Sequence, residues 1–128
     1  MKYLLDTHVF LWWLLDAKKL STKINNIIKD PENELYFSAI SSWEICIKIQ
    51  LNKLVLPDNP IYYIPKKIKE HNILELEVNH NHVLHLLLVP LIHKDPFDRV
   101  LVAQAISEEM ILLSCDQMLK KYPIKVIS

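Results

Sequence analysis

Short apolar runs that alternate with segments of helical character constrain the fold of this chain more than any other feature. The runs have the length of buried strands and fall at residues 2–5, 35–37, 74–78, 111–114 and 124–127. Helices between consecutive strands are typical of an α/β domain with a central parallel sheet that is covered on both faces. In such a sheet, ligands bind beyond the carboxyl ends of the strands.

Helices are predicted from apolar periodicity and from residues that favour helix N-termini. Ser21, Asn59 and Asp95 are expected N-caps, and Pro60 and Pro96 occupy the first helical position after two of them. The predicted helices cover residues 9–15, 21–29, 41–51, 59–70, 79–88 and 96–109, with one more turn after residue 116. The 128 residues show no linker, repeat or low-complexity tract, so one domain spanning 1–128 is expected.

The chain contains no glycine. An average chain of this length has about nine, so the glycine-rich phosphate cradles of nucleotide-binding proteins are excluded. Turns that need a left-handed residue are expected to use asparagine, with Asn52, Asn59, Asn72 and Asn81 as candidates. No apolar run reaches the roughly 18 residues of a membrane span, and the N-terminus is a poor signal peptide. A cytoplasmic protein is therefore expected.

Two aspartates follow predicted strands. Asp6 comes directly after the run of residues 2–5, and Asp116 follows the apolar run ILLSC. A buried carboxylate at a strand end is costly unless it is paired, hydrogen-bonded or bound to a metal. Each could instead cap the helix that follows it, and the local sequence leaves this alternative open.

Two more acids lie at predicted helix starts. Glu44 follows Ser41 by three residues, which is the spacing of a capping box, although its apolar flanks indicate that this turn is buried. Asp98 lies in the first turn of the helix that Asp95 caps, where a carboxylate interacts favourably with the helix dipole. A purely structural role is open for each of these acids taken singly.

Taken together, the four acids lie on the side of the sheet where active sites form. Converging carboxylates repel one another unless a divalent cation neutralises them, and oxygen ligands without a cysteine or histidine set suit Mg²⁺ or Mn²⁺. Such an ion can activate water and stabilise the charge of an in-line phosphodiester displacement. The sequence therefore predicts a metal-dependent nuclease centre at Asp6, Glu44, Asp98 and Asp116.

Four sequence blocks resemble, in order, those of PIN-domain proteins, and within that family they are most similar to VapC-type toxins of bacterial toxin–antitoxin pairs. The blocks are LDTH with LWW at residues 5–13, SAISSWEI at 38–45, HKDPFDR with AQA at 93–105, and SCD at 114–116. They extend over essentially the whole chain, and DPFDR with the downstream AQA is the most specific. Where relatives usually have glycine in a GKL segment, this chain has Asn52, which can adopt the same left-handed conformation.

The resemblance implies a three-layer α/β/α PIN-like domain with endoribonuclease activity that depends on Mg²⁺ or Mn²⁺. It also implies an RNA substrate, a homodimer and inhibition by a cognate antitoxin. By motif, Asp6, Glu44 and Asp98 match the family's three main acids and Asp116 matches its fourth, so these four are the expected catalytic and metal-binding residues.

Other residues in and near these blocks are candidates for supporting roles. Asp95 matches a position interpreted as a helix cap, and Thr7 and Ser114 match small hydroxyl residues that could hold carboxylates in place. His8 and His93 are open as residues near the site, whereas the three histidines of residues 80–85 are expected to be solvated or in the core. Candidates for phosphate contacts are Lys48, Lys53, Lys94 and Arg99.

Two other functional classes stay open. A phosphatase with an aspartyl-phosphate intermediate would use Asp6 as the nucleophile, but enzymes of the haloacid-dehalogenase type need an aspartate two residues later, where this chain has His8. A non-catalytic binding module of the same fold would not need all four acids. A net charge of zero neither supports nor excludes a nucleic-acid substrate.

Overall fold

The strands form one parallel sheet in the computed structural model, which describes all 128 residues. The strands are β1 (Lys2–Leu5), β2 (Glu34–Ser38), β3 (Leu74–Leu76), β4 (Ile111–Leu113) and β5 (Val126–Ile127). Their order across the sheet is β3-β2-β1-β4-β5, and every neighbouring pair is parallel. The predicted central parallel sheet is therefore confirmed, with β1 at its centre.

Helices cover both faces of this sheet. The α-helices are α1 (Thr7–Leu15), α2 (Thr22–Lys29), α3 (Ala39–Gln50), α4 (Pro60–Glu70), α5 (His80–Leu84) and α6 (Pro96–Glu108). Short 3₁₀ helices cover Ala17–Lys19, His85–Leu88 and Gln117–Lys121. None of the helices has the length and apolar character needed to cross a membrane.

Alternating side chains of the strands enter two separate hydrophobic cores. Leu5 and Leu113 belong to the core that contains the apolar residues of α1, α2 and α4. Leu4 and Leu112 belong to the core built mainly on α6. Because successive strand residues point to opposite faces, the two cores lie on opposite sides of the sheet, and the expected three-layer α/β/α architecture is confirmed.

The N-terminus of α3 differs from its prediction. The helix begins at Ala39, and Ser38 is its N-cap, with the Ser38 hydroxyl accepting from the Ile40 backbone N–H at 3.1 Å. Ser41 is therefore inside the helix, and the prediction of a helix starting there is wrong. A capping box between Ser41 and Glu44 is therefore excluded, because it needs Ser41 at the N-cap position.

Two of the four asparagine candidates adopt the left-handed conformation. Asn52 and Asn72 have φ angles of 57° and 54°, as predicted for turns without glycine. Asn59 is instead the N-cap of α4, and Asn81 lies inside α5. A third left-handed residue is Glu109 at the C-cap of α6, with φ of 55°, which no local signal in the sequence predicts.

Replacing Glu109 by glycine is expected to raise the free energy of unfolding by about 0.5–1 kcal/mol. The left-handed conformation costs a residue with a side chain about 1–2 kcal/mol, and the greater freedom of glycine in the unfolded chain cancels part of the gain. Denaturant unfolding of the two proteins measures the difference. A Glu109→Gly variant that is less stable than the parent would contradict the assignment.

Candidate metal centre

Three buried carboxylates lie beyond the carboxyl ends of the central strands. Asp6 directly follows β1, and its backbone N–H donates to the carbonyl of Leu113 in β4 at 3.0 Å, which holds the two strand ends side by side. Glu44 lies in α3, which follows β2, and Asp98 lies in the first turn of α6. The exposed fractions of Asp6, Glu44 and Asp98 are only 3%, 5% and 9%.

The charges of these acids act on one another. The pKa of Asp98 is raised to about 8, first by burial and then by the charges of Asp6, Asp95 and Glu44, while the charge of His93 lowers it in part. Burial also raises the pKa of Asp6, with Glu44 adding to the effect and the hydrogen bond from Ser114 opposing it. In a protein without a bound cation, the cluster therefore holds protons at pH values where exposed carboxyl groups are ionised.

Asp6 and Glu44 each use one carboxylate oxygen within the protein and leave the other free. Asp6 Oδ2 accepts from the Ser114 hydroxyl at 2.6 Å, and Glu44 Oε2 lies 3.0 Å from the ammonium of Lys48. Asp6 Oδ1 and Glu44 Oε1 are buried and have no hydrogen-bond partner. An unsatisfied buried acceptor costs about 1–3 kcal/mol. Free carboxylate oxygens are the ligands that a hard divalent cation prefers, so this donor set fits Mg²⁺ or Mn²⁺.

Asp116 joins the cluster through His93. The Nε2 atom of His93 lies 2.9 Å from Asp116 Oδ2 and 3.4 Å from Asp98 Oδ2. Ligand atoms of these three residues all lie within 4.8 Å of one another. Asp116 Oδ1 also accepts from the backbone N–H of Met118 at 2.9 Å and caps the last 3₁₀ helix. Asp116 is thus both a helix cap and a member of the cluster, and both of its oxygens already have partners.

The ring of His93 is held in a fixed orientation. The sequence alone did not decide whether this residue takes part in the site. Its Nδ1 accepts from the backbone N–H of Asp95 at 3.0 Å, so the neutral ring carries its proton on Nε2, facing the acids. Burial lowers the pKa of His93, but the hydrogen bond with Asp116 and the charges of Asp98, Asp116 and Asp95 together outweigh it, and the pKa is raised. The only sequence signal was the position of His93 at the start of the HKDPFDR block.

Two hydroxyl groups have different tasks around Asp6. Ser114 donates to Asp6 and also accepts from the Asp116 backbone N–H at 3.1 Å, so it links two of the acids. Thr7 donates to the Ser41 hydroxyl at 2.8 Å. The expectation that Ser114 holds a carboxylate is confirmed, whereas the hydroxyl of Thr7 fixes α1 to α3.

Replacing Ser114 by alanine is expected to weaken Mn²⁺ binding by about 10- to 100-fold, as is typical when a partner of a metal-ligating residue is lost. The variant also loses the hydrogen bond that lowers the pKa of Asp6, so Mn²⁺ binding should require a higher pH. Calorimetric titration with Mn²⁺ at several pH values measures both effects. Thr7→Val is the matched control, because its hydroxyl contacts no carboxylate. Unchanged Mn²⁺ affinity in Ser114→Ala would contradict the role of the hydroxyl.

The expected phosphate-binding residues behave differently from one another. Lys48 lies at the edge of the cluster, between Glu44 and the Nε2 atom of His8, which is 3.4 Å away. Arg99 instead donates from Nη2 to the carbonyl of Val89 at 3.3 Å, and its Nε is buried without a partner. Lys48 therefore lies beside an acid of the cluster, while Arg99 ties α6 to the preceding loop.

A second group of acids lies outside the cluster. A cleft of about 640 Å³ includes Glu75, Glu77 and Glu108 in its lining. His82 is fully buried beside this cleft, with Nε2 2.7 Å from Glu108, so the expectation of a core histidine is confirmed here. The ligand atoms that lie within 4.8 Å of one another belong to His93, Asp98 and Asp116; that group includes neither the acids of this cleft nor Asp6 and Glu44.

Comparison with known proteins supports the fold. Ribonuclease VapC16 of Mycobacterium tuberculosis is 36% identical over 59 residues, which cover 46% of this chain and 42% of that protein. The chain thus matches less than half of this curated relative. VapBC2 from Rickettsia felis, bound to a DNA fragment from its promoter, gives a TM-score of 0.73 at 13% identity, covering 99% of this chain and 98% of the other. VapBC-1 from nontypeable Haemophilus influenzae gives 0.67 at 18% identity, covering 100% and 98%.

At sequence identities of 13% and 18%, these two structural similarities show a common fold only. The family is therefore assigned from the sequence match to a protein family. The match to the PIN domain family extends over residues 3–125, and therefore includes most of β1, all of β2, β3 and β4, and every acid of the cluster. On that match, the chain belongs to the PIN domain family.

Proposed function

We propose that this protein is a metal-dependent endoribonuclease and the toxin of a toxin–antitoxin pair. The observation that carries the proposal is the pair of buried carboxylate oxygens on Asp6 and Glu44 that have no hydrogen-bond partner. Asp98, whose pKa is raised to about 8, belongs to the same cluster. Membership of the PIN domain family supports nuclease chemistry. The relatives named as a ribonuclease and as VapBC complexes support the toxin role.

Asp6, Glu44 and Asp98 are the residues that would hold Mg²⁺ or Mn²⁺, with Asp116 as the fourth acid. When bound, such an ion supplies an activated water and offsets negative charge on the phosphodiester undergoing hydrolysis. The expected products carry a 5′-phosphate and a 3′-hydroxyl. Because both oxygens of Asp116 have partners in the protein, we assign it mainly to fixing His93 and the 3₁₀ helix beside the centre.

Three further side chains, a hydroxyl, an imidazole and an ammonium group, complete the site. Ser114 fixes the orientation of Asp6, and His93 holds the carboxylates of Asp98 and Asp116 through its Nε2 proton. The side chain of Lys48 is 29% exposed, so its ammonium can reach a phosphate oxygen while remaining next to Glu44. Positive charge at the rim of an acidic centre is what an RNA substrate requires, because its phosphates must approach the carboxylates.

Association with a second copy and with an antitoxin forms part of the proposal. Exposed apolar side chains are concentrated in residues 84–91, where Leu84, Leu87, Leu88 and Leu91 have exposed fractions of 63%, 87%, 64% and 87%. Apolar surface of this extent is typical of protein interfaces. Two structures of similar fold are VapBC2 from Rickettsia felis and VapBC-1 from nontypeable Haemophilus influenzae. By analogy, we expect this protein to form a homodimer, to be inhibited by a cognate antitoxin and to act on RNA in the cytoplasm.

Incubation of the purified protein with total RNA tests the proposal. Parallel reactions contain Mn²⁺, Mg²⁺ or EDTA, and the 5′ ends of the products are analysed. Discrete fragments with 5′-phosphates that form only with the metal are the expected result. RNA left intact by a protein that is free of any co-purified partner and binds neither Mn²⁺ nor Mg²⁺ at millimolar concentration would favour the non-catalytic binding module. A phosphate group trapped on Asp6 would favour the phosphatase.

A further inference from the structure

An aromatic pair, the exposed Trp43 and the half-buried Phe97, lies next to two acids of the cluster. Trp43 lies on α3 directly before Glu44, and Phe97 lies on α6 directly before Asp98. The centroids of the two rings are 5.4 Å apart and the ring planes are almost perpendicular, at 87°. Two helices thus each carry an acid of the centre and, one residue earlier, an aromatic ring of this pair.

The exposure of Trp43 is not explained by the packing of the domain. Its exposed fraction is 60%, although Glu44 beside it is buried. Trp12 and Trp13 pack against the first hydrophobic core, and Phe97 packs against the second, whereas Trp43 belongs to neither. A large apolar ring left in water loses the stabilisation that burial would give, so a binding role is the simplest reason for its position.

We propose that the Trp43–Phe97 pair is a stacking site for an unpaired nucleobase of the RNA strand being cleaved. The inference rests on the proposed nuclease function and adds the form of the substrate to it. Neighbouring residues on a helix point about 100° apart, so the rings diverge from the buried carboxylates of the same helices, with Trp43 exposed and Phe97 half-buried. In a nucleotide the phosphate and the base also point in different directions. The phosphate could therefore approach the carboxylates while the base approaches the rings.

The perpendicular rings suit a flat ligand. They form a corner in which one ring can stack on the face of a base while the other contacts its edge. Stacking of this kind accepts any base, because every base has a π-face, and it requires a base that is not already stacked in a duplex. Lys48, four residues after Glu44 on the same helix, adds a positive charge near the same site for the backbone of the strand.

The structure therefore assigns selection for single-stranded RNA to Trp43 and Phe97. Sequence-specific hydrogen bonding is not expected from this pair, since neither ring offers a carboxylate, amide or guanidinium group to a base edge. The predicted preference is for unpaired loops and ends, with at most a modest preference among bases.

The test compares Trp43→Leu, which keeps an apolar side chain without a π-face, with Trp43→Phe, which keeps a ring. Tyr62→Leu is the matched control, because Tyr62 is 70% exposed on α4. Binding of a single-stranded RNA oligonucleotide is measured in the Asp98→Asn background, and cleavage is measured in the parent. Trp43→Leu is expected to weaken binding and lower kcat/KM by about 5- to 150-fold. Trp43→Phe should recover most of this loss, and the Mn²⁺ affinity should not change.

An abasic nucleotide next to the cleaved bond separates stacking from general damage. The abasic RNA should lose about as much affinity as Trp43→Leu does, and the two changes together should lose no more than one alone. Full additivity would overturn the proposal, and so would unchanged RNA binding in Trp43→Leu, whether or not the binding of a protein partner is weakened. Those results would leave metal-dependent cleavage by the parent intact. Absence of any RNA binding or cleavage by the parent would overturn the nuclease function and the stacking site together.

Discussion

Replacement of Asp98 by asparagine is expected to lower kcat/KM for RNA cleavage by about 10²–10⁴-fold. Asparagine is nearly isosteric, but it removes the negative charge that would help to hold the cation. Asp6→Asn should have an effect of the same order, because its free Oδ1 would become one atom of a neutral amide. Initial rates at saturating Mn²⁺ measure the loss, and circular dichroism shows whether the fold survives.

Glu75→Gln provides the control for these variants. It removes one carboxylate from the cleft beside β3, outside the proposed centre, so its rate should match that of the parent. Full activity of both Asp98→Asn and Asp6→Asn would remove the catalytic assignment. A loss as large in Glu75→Gln would show that the chemistry takes place in the other acidic group.

In the absence of metal, the same Asp98→Asn change is expected to stabilise the protein. The pKa of Asp98 is about 8 in the folded protein and about 3.9 in the unfolded chain. Between these values the folded state binds more protons, so its stability falls as pH rises, by up to about 1.4 kcal/mol per pH unit. Stability from this group is therefore fully present below about pH 4 and lost by about pH 8. The asparagine variant has no such loss, and at pH 8 it should be more stable by about 2–4 kcal/mol.

Thermal unfolding with EDTA and with Mn²⁺ measures this prediction. With EDTA, the midpoint of Asp98→Asn should exceed that of the parent by about 5–15 °C at pH 8, with little difference at pH 4.5. Mn²⁺ should then stabilise the parent, because it binds only the folded state, and should stabilise the variant much less. A variant that is less stable than the parent with EDTA at pH 8 would contradict the burial of an uncompensated charge at Asp98.

The sheet and the acids could be predicted from the sequence because their signals are local. Each central strand is an apolar run, and Asp6 and Asp116 follow two of these runs directly or nearly so. The rule that parallel strands end at one edge of the sheet then places the acids together. The N-cap Asp95 and the proline after it define the start of α6, and they fix Asp98 in its first turn.

Features that depend on tertiary contacts could not be predicted in this way. Whether α3 begins at residue 39 or 41 depends on which of three serines within five positions reaches a free backbone N–H. The approach of His93 to Asp116 joins segments 23 residues apart. The exposure of Trp43 depends on tertiary packing that leaves most of its ring uncovered, and an apolar sequence pattern cannot show this.

The position of a bound ion in a crystal is the decisive observation for the proposed metal centre. We expect anomalous diffraction from crystals of the parent protein with Mn²⁺ to show a peak in contact with carboxylate oxygens of Asp6, Glu44 and Asp98. A peak among Glu75, Glu77 and Glu108 instead, or no peak in any of these groups at millimolar Mn²⁺, would contradict it.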